Sequence, residues 1–481
     1  MKTTPIVLSS SEDLSLDLAE RIAFGDCNVV LGDEGRAIID GGRREFERYL
    51  DTISEEHYIY GTTTAPGSRA KKVLDAAAAS NQGRTLREFV TIRAGLGGGP
   101  VPRRTARLAI LARLANALSG RGKITSATAD KVLGLLSDPP DVPSRVTSEV
   151  IAMTWLLAPL ADAPLLVGEA MALINGSPFA SAMVVDAVLM GRRRIRLAEE
   201  VFALSIEAAR APLEHYTPQL ADLWPDPFYR ASLESLDALL AEASPDRLKH
   251  QAPVSWRIIP NLLATCKRAL SSAEEVSRGS LLAVKDNPTF LAPSNGETIG
   301  RAVSSGGYHD DQAARAMEAL TSSYASLCVL IGKQVTRLID GEGLGLPRMM
   351  VRPGVDGVGT EYFVWTLNEP IRRAQQAATP VSLAIGLEDP GGGQSDVGSA
   401  ATSAYARHLE AGSALTDCLA TLATVSALSL KIRNGSPPYA LSDLWSRLTA
   451  VLGSVESTSV ASGEPLREIA ERFRAGLEDF P

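Results

Sequence analysis

The sequence predicts a mainly α fold, a bundle of long helices with a small loop-rich N-terminal part. Three observations carry that expectation. Apolar residues recur with helical period over five stretches, residues 104–118, 179–211, 260–283, 311–339 and 400–432. Alanine is frequent in them, which favours helix and lets helices approach closely. Strand signals are few and short, and clusters of glycine and proline fall between the periodic stretches.

In chain order, residues 3–8 and 349–351 read as short strands. The 104–118 helix is amphipathic, with Leu108, Leu111 and Leu114 at three-residue steps. Asp311 opens the 311–339 helix as an N-cap or first-turn acid that complements the helix dipole. Loops are expected at 61–67, 95–100, 137–143, 293–300, 341–359 and 389–398, where binding residues usually lie. From Gly435 the chain becomes polar and loop-rich, ending in one amphipathic helix at 465–477. Three parts follow: an N-terminal loop-rich part (1–175), a central long-helix bundle (176–434) and a C-terminal appendage (435–481). No internal repeat or sustained heptad is visible.

At 481 residues and 45% hydrophobic, the chain can bury one large core or two modest ones. A net charge of −8 and a pI near 5.4 argue against a nucleic acid or anionic membrane as partner. No apolar run of about 18 residues stands out, so no transmembrane helix is expected. The N-terminus, Met1-Lys2-Thr3-Thr4-Pro5, precedes an apolar stretch soon interrupted by acids and does not read as a signal peptide. Cys27, Cys266, Cys328 and Cys418 are scattered, which suits reduced, mostly buried thiols in a cytoplasmic protein. The five histidines are dispersed without metal-ligand spacing, and no metal site is expected. Gly391-Gly392-Gly393 has neither the lysine of a P-loop nor a preceding strand and reads as a flexible loop.

Several short motifs occur in order. They are Tyr60-Gly61-Thr62-Thr63-Thr64-Ala65-Pro66-Gly67, Ala94-Gly95-Leu96-Gly97, Leu157-Ala158-Pro159-Leu160-Ala161-Asp162, Ala172-Leu173-Ile174-Asn175-Gly176-Ser177-Pro178-Phe179, Gln251-Ala252-Pro253-Val254-Ser255-Trp256-Arg257, Asp286-Asn287-Pro288 and Ser304-Ser305-Gly306-Gly307-Tyr308-His309. Each is weak alone. Together, over roughly residues 55 to 435, they resemble the aromatic amino acid ammonia-lyases, the histidine and phenylalanine ammonia-lyase superfamily. The resemblance implies a fumarase/aspartase-like helical bundle, a small-molecule substrate, and a homotetramer (or dimer) whose active sites are shared between chains. It further implies that Tyr60 is the catalytic base, that Asn175 contacts the family's electrophile and that Arg257 anchors the substrate.

The departures matter as much. Ile92 stands where a substrate-selecting histidine or phenylalanine is usual, and Val254 replaces a second catalytic tyrosine. Gln394-Ser395-Asp396 lies near the family's Gln-Glu-Asp-His segment, without the acid that meets the substrate amine. Where the family has the Ala-Ser-Gly that condenses into the electrophilic ring called MIO, this chain has Met153-Thr154-Trp155. Ring closure needs the third residue's nitrogen to attack the first residue's carbonyl in a compressed turn, which a missing Cβ permits and an indole opposes. Unmodified backbone is expected here, with no cofactor. The literal Ala461-Ser462-Gly463 near the C-terminus reads as a polar turn and helix start instead.

Each candidate also has a plainer reading. Tyr60 is either a base or a packing residue; Arg257 either clamps a substrate oxygen or pairs with a buried acid; Asn175 either faces the ligand or caps the helix near Ser177. Tyr308 and His309 are a candidate proton-transfer pair, beside acids that suit helix capping. Thr154 and Trp155 either meet the substrate or fill the vacated site. Two functional classes follow. One is an MIO-independent enzyme for an activated carbonyl, enone or thioester in specialised metabolism; the other is a non-catalytic binding or scaffold protein. An ammonia-lyase with an unconventional MIO ranks last. A roomy cavity with Tyr60, Arg257 and Tyr308 converging would favour chemistry, and a cavity plugged by Trp155 a scaffold.

Overall fold

Short parallel strands tie down the N-terminus: β1 (Ile6–Leu8) pairs with β2 (Val29–Leu31) across α1 (Leu16–Phe24). The computed structural model describes residues 4–25, 28–54, 57–93, 97–146, 148–294, 296–351, 359–383, 393–394, 396–453 and 463–478. Cys27, the Ala94-Gly95-Leu96 motif, Gly391, Gly392, Ser395, Ala461 and Ser462 lie outside them. Helix α2 (Asp33–Leu50) leads to the Tyr60 loop, followed by α3 (Ala76–Ser80), α4 (Gln82–Ile92), α5 (Arg103–Asn116), α6 (Ser126–Leu133), α7 (Glu149–Leu156) and α8 (Glu169–Ile174). The central part holds α9 (Pro178–Ala209), α10 (Pro227–Leu239), α11 (Val254–Arg257) and α12 (Ile259–Leu282). An antiparallel pair, β3 (Thr289–Leu291) and β4 (Arg301–Val303), precedes α13 (Asp311–Asp340), α14 (Tyr362–Ala377), α15 (Ala401–Ile432), α16 (Ser442–Leu452) and α17 (Gly463–Glu478).

All five long helices form where the periodicity places them, within a few residues at each end. Helix α9 packs against α5, α12, α13 and α15, and α13 and α15 pack on each other and on α14. Helices α9 and α15 bury nearly their whole circumference, as helices apolar all round must. Pro178 opens α9 with φ already set for helix. The cap of α13 is Asp310, which accepts from the Ala313 amide at 3.1 Å, so Asp311 is the first-turn acid and not the cap.

A buried polar junction crosslinks three of these helices. Asp186 on α9 accepts from Arg104 Nε of α5 at 2.5 Å and from the Tyr405 hydroxyl of α15 at 2.6 Å. Thr105 Oγ1 lies 2.7 Å from the same tyrosine oxygen. Burial and the facing carboxylate push the Tyr405 phenol well above its ordinary range, so it stays a donor.

Two expectations need correction, the strand at 349–351 and the single helix beyond Gly435. Glu169–Ala209 and Ala401–Ile432 are long and apolar enough to cross a membrane by composition, but their apolar windows are 100% and 89% buried in the bundle. Residues 348–350 form a 3-10 turn, not a strand, because Met349 and Met350 take positive φ. Strands β2, β3 and β4 were not legible, each being three residues long. The region beyond Gly435 contains α16 as well as the final helix. The described thiols, Cys266, Cys328 and Cys418, are free and buried.

Candidate functional site

A cavity of about 1180 Å³ opens where the loops meet one end of the bundle. Its wall is drawn from seven separate segments: the Tyr60–Gly67 loop, Phe89 of α4, the start of α7, Met171 of α8 with Asn175 just after it, the 287–309 region, Val381, and described residues between 393 and 403. Phe89, Ile151, Met171, Val381 and Val397 make part of it apolar; Tyr60, Glu149, Asn175, Asn287, Ser305, Tyr308, His309, Gln394 and Ser399 make the rest polar.

Two glycines hold the cavity's tightest corners. Gly61, at φ +63, places Tyr60, and a Cβ there would sit 2.2 Å from Met171 Cγ. Gly176, at φ +117, lets the chain after Asn175 pass so close to Lys285 that a Cβ would lie 1.9 Å from its carbonyl oxygen. The Tyr60 hydroxyl accepts the Gly67 amide at 2.9 Å, which fixes its oxygen at the cavity wall.

Asn175 is fixed from all sides. Its carbonyl accepts from buried Arg113 at 2.6 Å, its Nδ2 donates to the Asn287 carbonyl at 2.5 Å, and its Oδ1 accepts the Gly176 amide at 3.0 Å. It therefore does not cap α9; Ser177 occupies that position, without a side-chain cap. Asn287 accepts the Ser305 amide at 3.0 Å, and the Asn287–Pro288 peptide is cis. Buried Lys123 pairs with Asp286 at 3.0 Å and also donates to the Pro288 carbonyl, clamping this segment beneath the cavity.

His309 Nε2 lies 3.0 Å from the Gly398 carbonyl, which assigns the proton to that nitrogen, and its ring meets Tyr308 edge-on at 6.4 Å. The next residue, Asp310, is paired with Lys285. Burial alone would raise its carboxyl, but that ammonium and the Ser280 hydroxyl hold it below the ordinary carboxylate range.

Of the residues expected at the site, Tyr60, Asn175, Tyr308, His309 and Gln394 share the cavity wall. Thr154, Trp155, Ile92, Val254 and Arg257 do not line it in the single chain. Thr154 is fully buried within α7, where its hydroxyl donates to the Ile151 carbonyl at 2.7 Å. The Trp155 ring lies under the Arg93 guanidinium at 4.1 Å, and its buried indole N–H has no partner among the described residues. Ile92 and Val254 are exposed, at 68% and 56%. Arg257 turns back on its own segment, Nε donating to the Ala252 carbonyl at 3.0 Å.

Sequence reasoning missed Glu149 and Ser399. Glu149 is buried in the wall, and its Oε1 accepts the Ser399 hydroxyl at 2.5 Å. Burial raises its carboxyl; the Ser399 bond and His309 act against that rise, and Asp310 adds to it. The sequence offered a faint signal in Ser148-Glu149, which reads as a helix start, but nothing local distinguishes a dipole-complementing acid from one facing a cavity.

Fold and site together define a long-helix bundle enzyme scaffold with a polar, loop-framed cavity at one end. The family model "Aromatic amino acid lyase" matches residues 152–452, more than half of the chain. The protein belongs to the aromatic amino acid lyase family. It is 26% identical to the tyrosine ammonia-lyase of Cereibacter sphaeroides over 478 residues, 88% of each chain. It is 28% identical to the histidine ammonia-lyase of Burkholderia vietnamiensis over 219 residues, 43% of this chain but only 41% of that one. Ergothionase from Treponema denticola shares the fold at a TM-score of 0.86 and 16% identity, covering 98% of this chain and 99% of that one. Tyrosine aminomutase from Streptomyces globisporus does so at 0.84 and 19%, covering 99% and 98%. Tyr60 and Glu149 both precede the stretch that the family model matches.

Proposed function

We propose that this protein is an enzyme that keeps the lyase cavity and works without the MIO ring. Its substrate is a small molecule already activated by a carbonyl, enone or thioester. The reaction is β-elimination, the reverse conjugate addition, or a related cyclisation or isomerisation, in a cytoplasmic step of specialised metabolism.

The observation that supports this reading is an open cavity whose wall includes Tyr60, Tyr308 and His309 while Trp155 is not part of it; Arg257, expected to join Tyr60 and Tyr308 there, does not line it in the single chain. A plugged cavity would have favoured a scaffold. The residues at the tripeptide position do not fit the prosthetic group: they form one turn of α7, Thr154 is sealed in the core, and the Met153 carbonyl already accepts the Leu157 amide at 2.9 Å. Without an electrophile, a tyrosine cannot remove an unactivated β-proton, because proton transfer is efficient only between groups of comparable pKa. A proton α to a carbonyl is far more acidic, and a tyrosine held by an amide donor suits its removal. In this reading Tyr60 is the acid/base and Tyr308 with His309 passes the proton on. Asn175 and Gln394 orient the carbonyl.

Arg257 as anchor, with Ile92 and Val254 as further substrate contacts, is the part that one chain does not supply; Thr154, sealed in the core of α7, fills the vacated site and meets no substrate. Arg257, Ile92 and Val254 would reach a site only if copies assemble, and we propose a homotetramer, or a dimer, with shared sites. The exposed Ile92 and Val254 support this, since large apolar side chains at the surface suit burial between copies.

The test is to incubate the purified protein with β-substituted ketones and thioesters and to follow enone formation. Intact mass should equal that of the 51.0 kDa translated chain. A peptide spanning residues 153–155 that is lighter by two waters would overturn the MIO-independent reading.

A further inference from the structure

Among the described residues of the cavity wall, Glu149 carries the one carboxyl group. It is the first residue of α7, held in place by Ser148, whose hydroxyl accepts the Ile151 amide at 3.3 Å. An acid at a helix start ordinarily lies in solvent and complements the dipole. Glu149 is buried instead, and among the described residues no lysine or arginine pairs with it. The nearest ammonium, on Lys285, is engaged by Asp310, Ser181 and Ser280. The charges that reach Glu149 are those of His309, Asp310 and Lys285. A carboxyl so placed is held as a neutral acid to higher pH than a surface glutamate, and a neutral acid in a cavity wall is a proton donor.

We propose that Glu149 is the proton donor of this site, delivering its carboxyl proton to the group that departs from carbon β of the substrate carbonyl. The proposal deepens the reading above and rests on it. The Cα–H bond breaks and its proton goes to the Tyr60 oxygen, which has to be deprotonated to receive it. The C–H electron pair becomes the Cα=Cβ double bond, and the Cβ–X bond breaks with its pair on X. X takes the proton of Glu149 and leaves as HX. Each turnover moves one proton from Glu149 to Tyr60, and exchange with water resets both. Run backwards, the same two groups add HX across an enone. Ser399 is the positioning residue, holding the carboxyl by its Oε1.

The experiment has two arms. In the first, wild type and Glu149→Gln are compared on 4-substituted butan-2-ones whose leaving groups run from para-nitrophenoxide to methoxide. A proton donor matters most for the poorest leaving group, so the variant should lose about 100-fold or more with methoxide and little with nitrophenoxide. Equal losses along the series would overturn the proposal, since a structural defect ignores the leaving group. Glu149→Asp should restore part of the methoxide reaction. In the second arm, infrared difference spectra of the unliganded proteins at neutral pH should show a protonated-carboxyl stretch in wild type that Glu149→Gln lacks. Identical spectra overturn the proposal whether or not any ketone is turned over. A wild type inactive on the whole series defeats the reading of the reaction, and the infrared arm still judges Glu149.

Discussion

The helical bundle and the rim of the cavity are built on different principles. In the bundle, each helix presents a continuous apolar surface, and α9 and α15 are enclosed on nearly every side. Its specificity comes from packing many side chains, reinforced by buried polar junctions such as those at Asp186 and at Ser205 with Gln334. The rim is made of short pieces from seven places in the chain, several held by hydrogen bonds to backbone atoms: Tyr60 by Gly67, Asn175 by Arg113 and Asn287, His309 by Gly398. A scaffold of this kind tolerates rewriting of its rim. In the reading proposed above, Met153-Thr154-Trp155 in place of the ring-forming tripeptide alters the chemistry, while the long-helix fold is retained.

The sharpest way to break this contrast is at Tyr60. Tyr60→Phe should lower turnover on an activated ketone by about 100-fold to 10,000-fold, the range for removing a general base, while urea denaturation stays close to wild type. Unchanged kinetics would remove Tyr60 from the chemistry and return it to packing. The counterpart lies in the bundle. Asp186→Ala leaves Arg104 without its buried partner and the Tyr405 hydroxyl without its acceptor, and should cost about 3–5 kcal/mol of stability. The second carboxylate near Arg104, Glu478, is 52% exposed and compensates little. Folded Asp186→Ala protein should keep its turnover; a rate loss matching that of Tyr60→Phe would show that bundle and rim are not separable.

This contrast also explains what was legible in the sequence. Helices α5, α9, α12, α13 and α15 announce themselves because a buried helix must repeat its apolar residues every turn, and that pattern is local. Tyr60, Asn175, Tyr308, His309 and Gln394 were legible through the short motifs around them, whose glycines mark turns no other residue fits, as at Gly61 and Gly176. Glu149 was not legible, because its burial depends on Ser399, 250 positions later in the chain. Arg257 and Val254 were expected near the substrate and lie elsewhere in the single chain, because a motif fixes the local turn of α11 but not which cavity that turn faces.

A smaller effect separates the two regions by pH. His408 is buried in the bundle between Thr321 and Tyr324, and burial, with Arg194 acting the same way, lowers it from 6.5 to about 3. Below its ordinary value the unfolded chain binds a proton that the folded protein refuses, so stability falls as pH drops from 6.5 towards 3. At about 1.4 kcal/mol per pH unit, the loss by pH 5 is about 2 kcal/mol. His408→Gln should flatten that slope in urea titrations at pH 7 and pH 5. A slope unchanged by the substitution would place the acid sensitivity elsewhere, as at Asp310, whose carboxyl is held below its ordinary range by Lys285 and Ser280.

The smallest effect tests the seam where bundle and rim meet. Ser148 caps α7 and thereby sets the direction in which Glu149 leaves the helix. Ser148→Ala removes one capping hydrogen bond and should cost about 1 kcal/mol, too little to unfold a chain with a core this large. If the cap does no more than stabilise α7, turnover will be unchanged and Ser148→Thr indistinguishable from wild type. If it also aims the Glu149 carboxyl, Ser148→Ala will lose rate with poor leaving groups more than with good ones, a weaker copy of the Glu149→Gln pattern. Ser148→Thr, which keeps the acceptor oxygen, will restore it. The leaving-group dependence, rather than the size of the rate loss, is the informative readout, because a loosened helix start would slow every substrate alike.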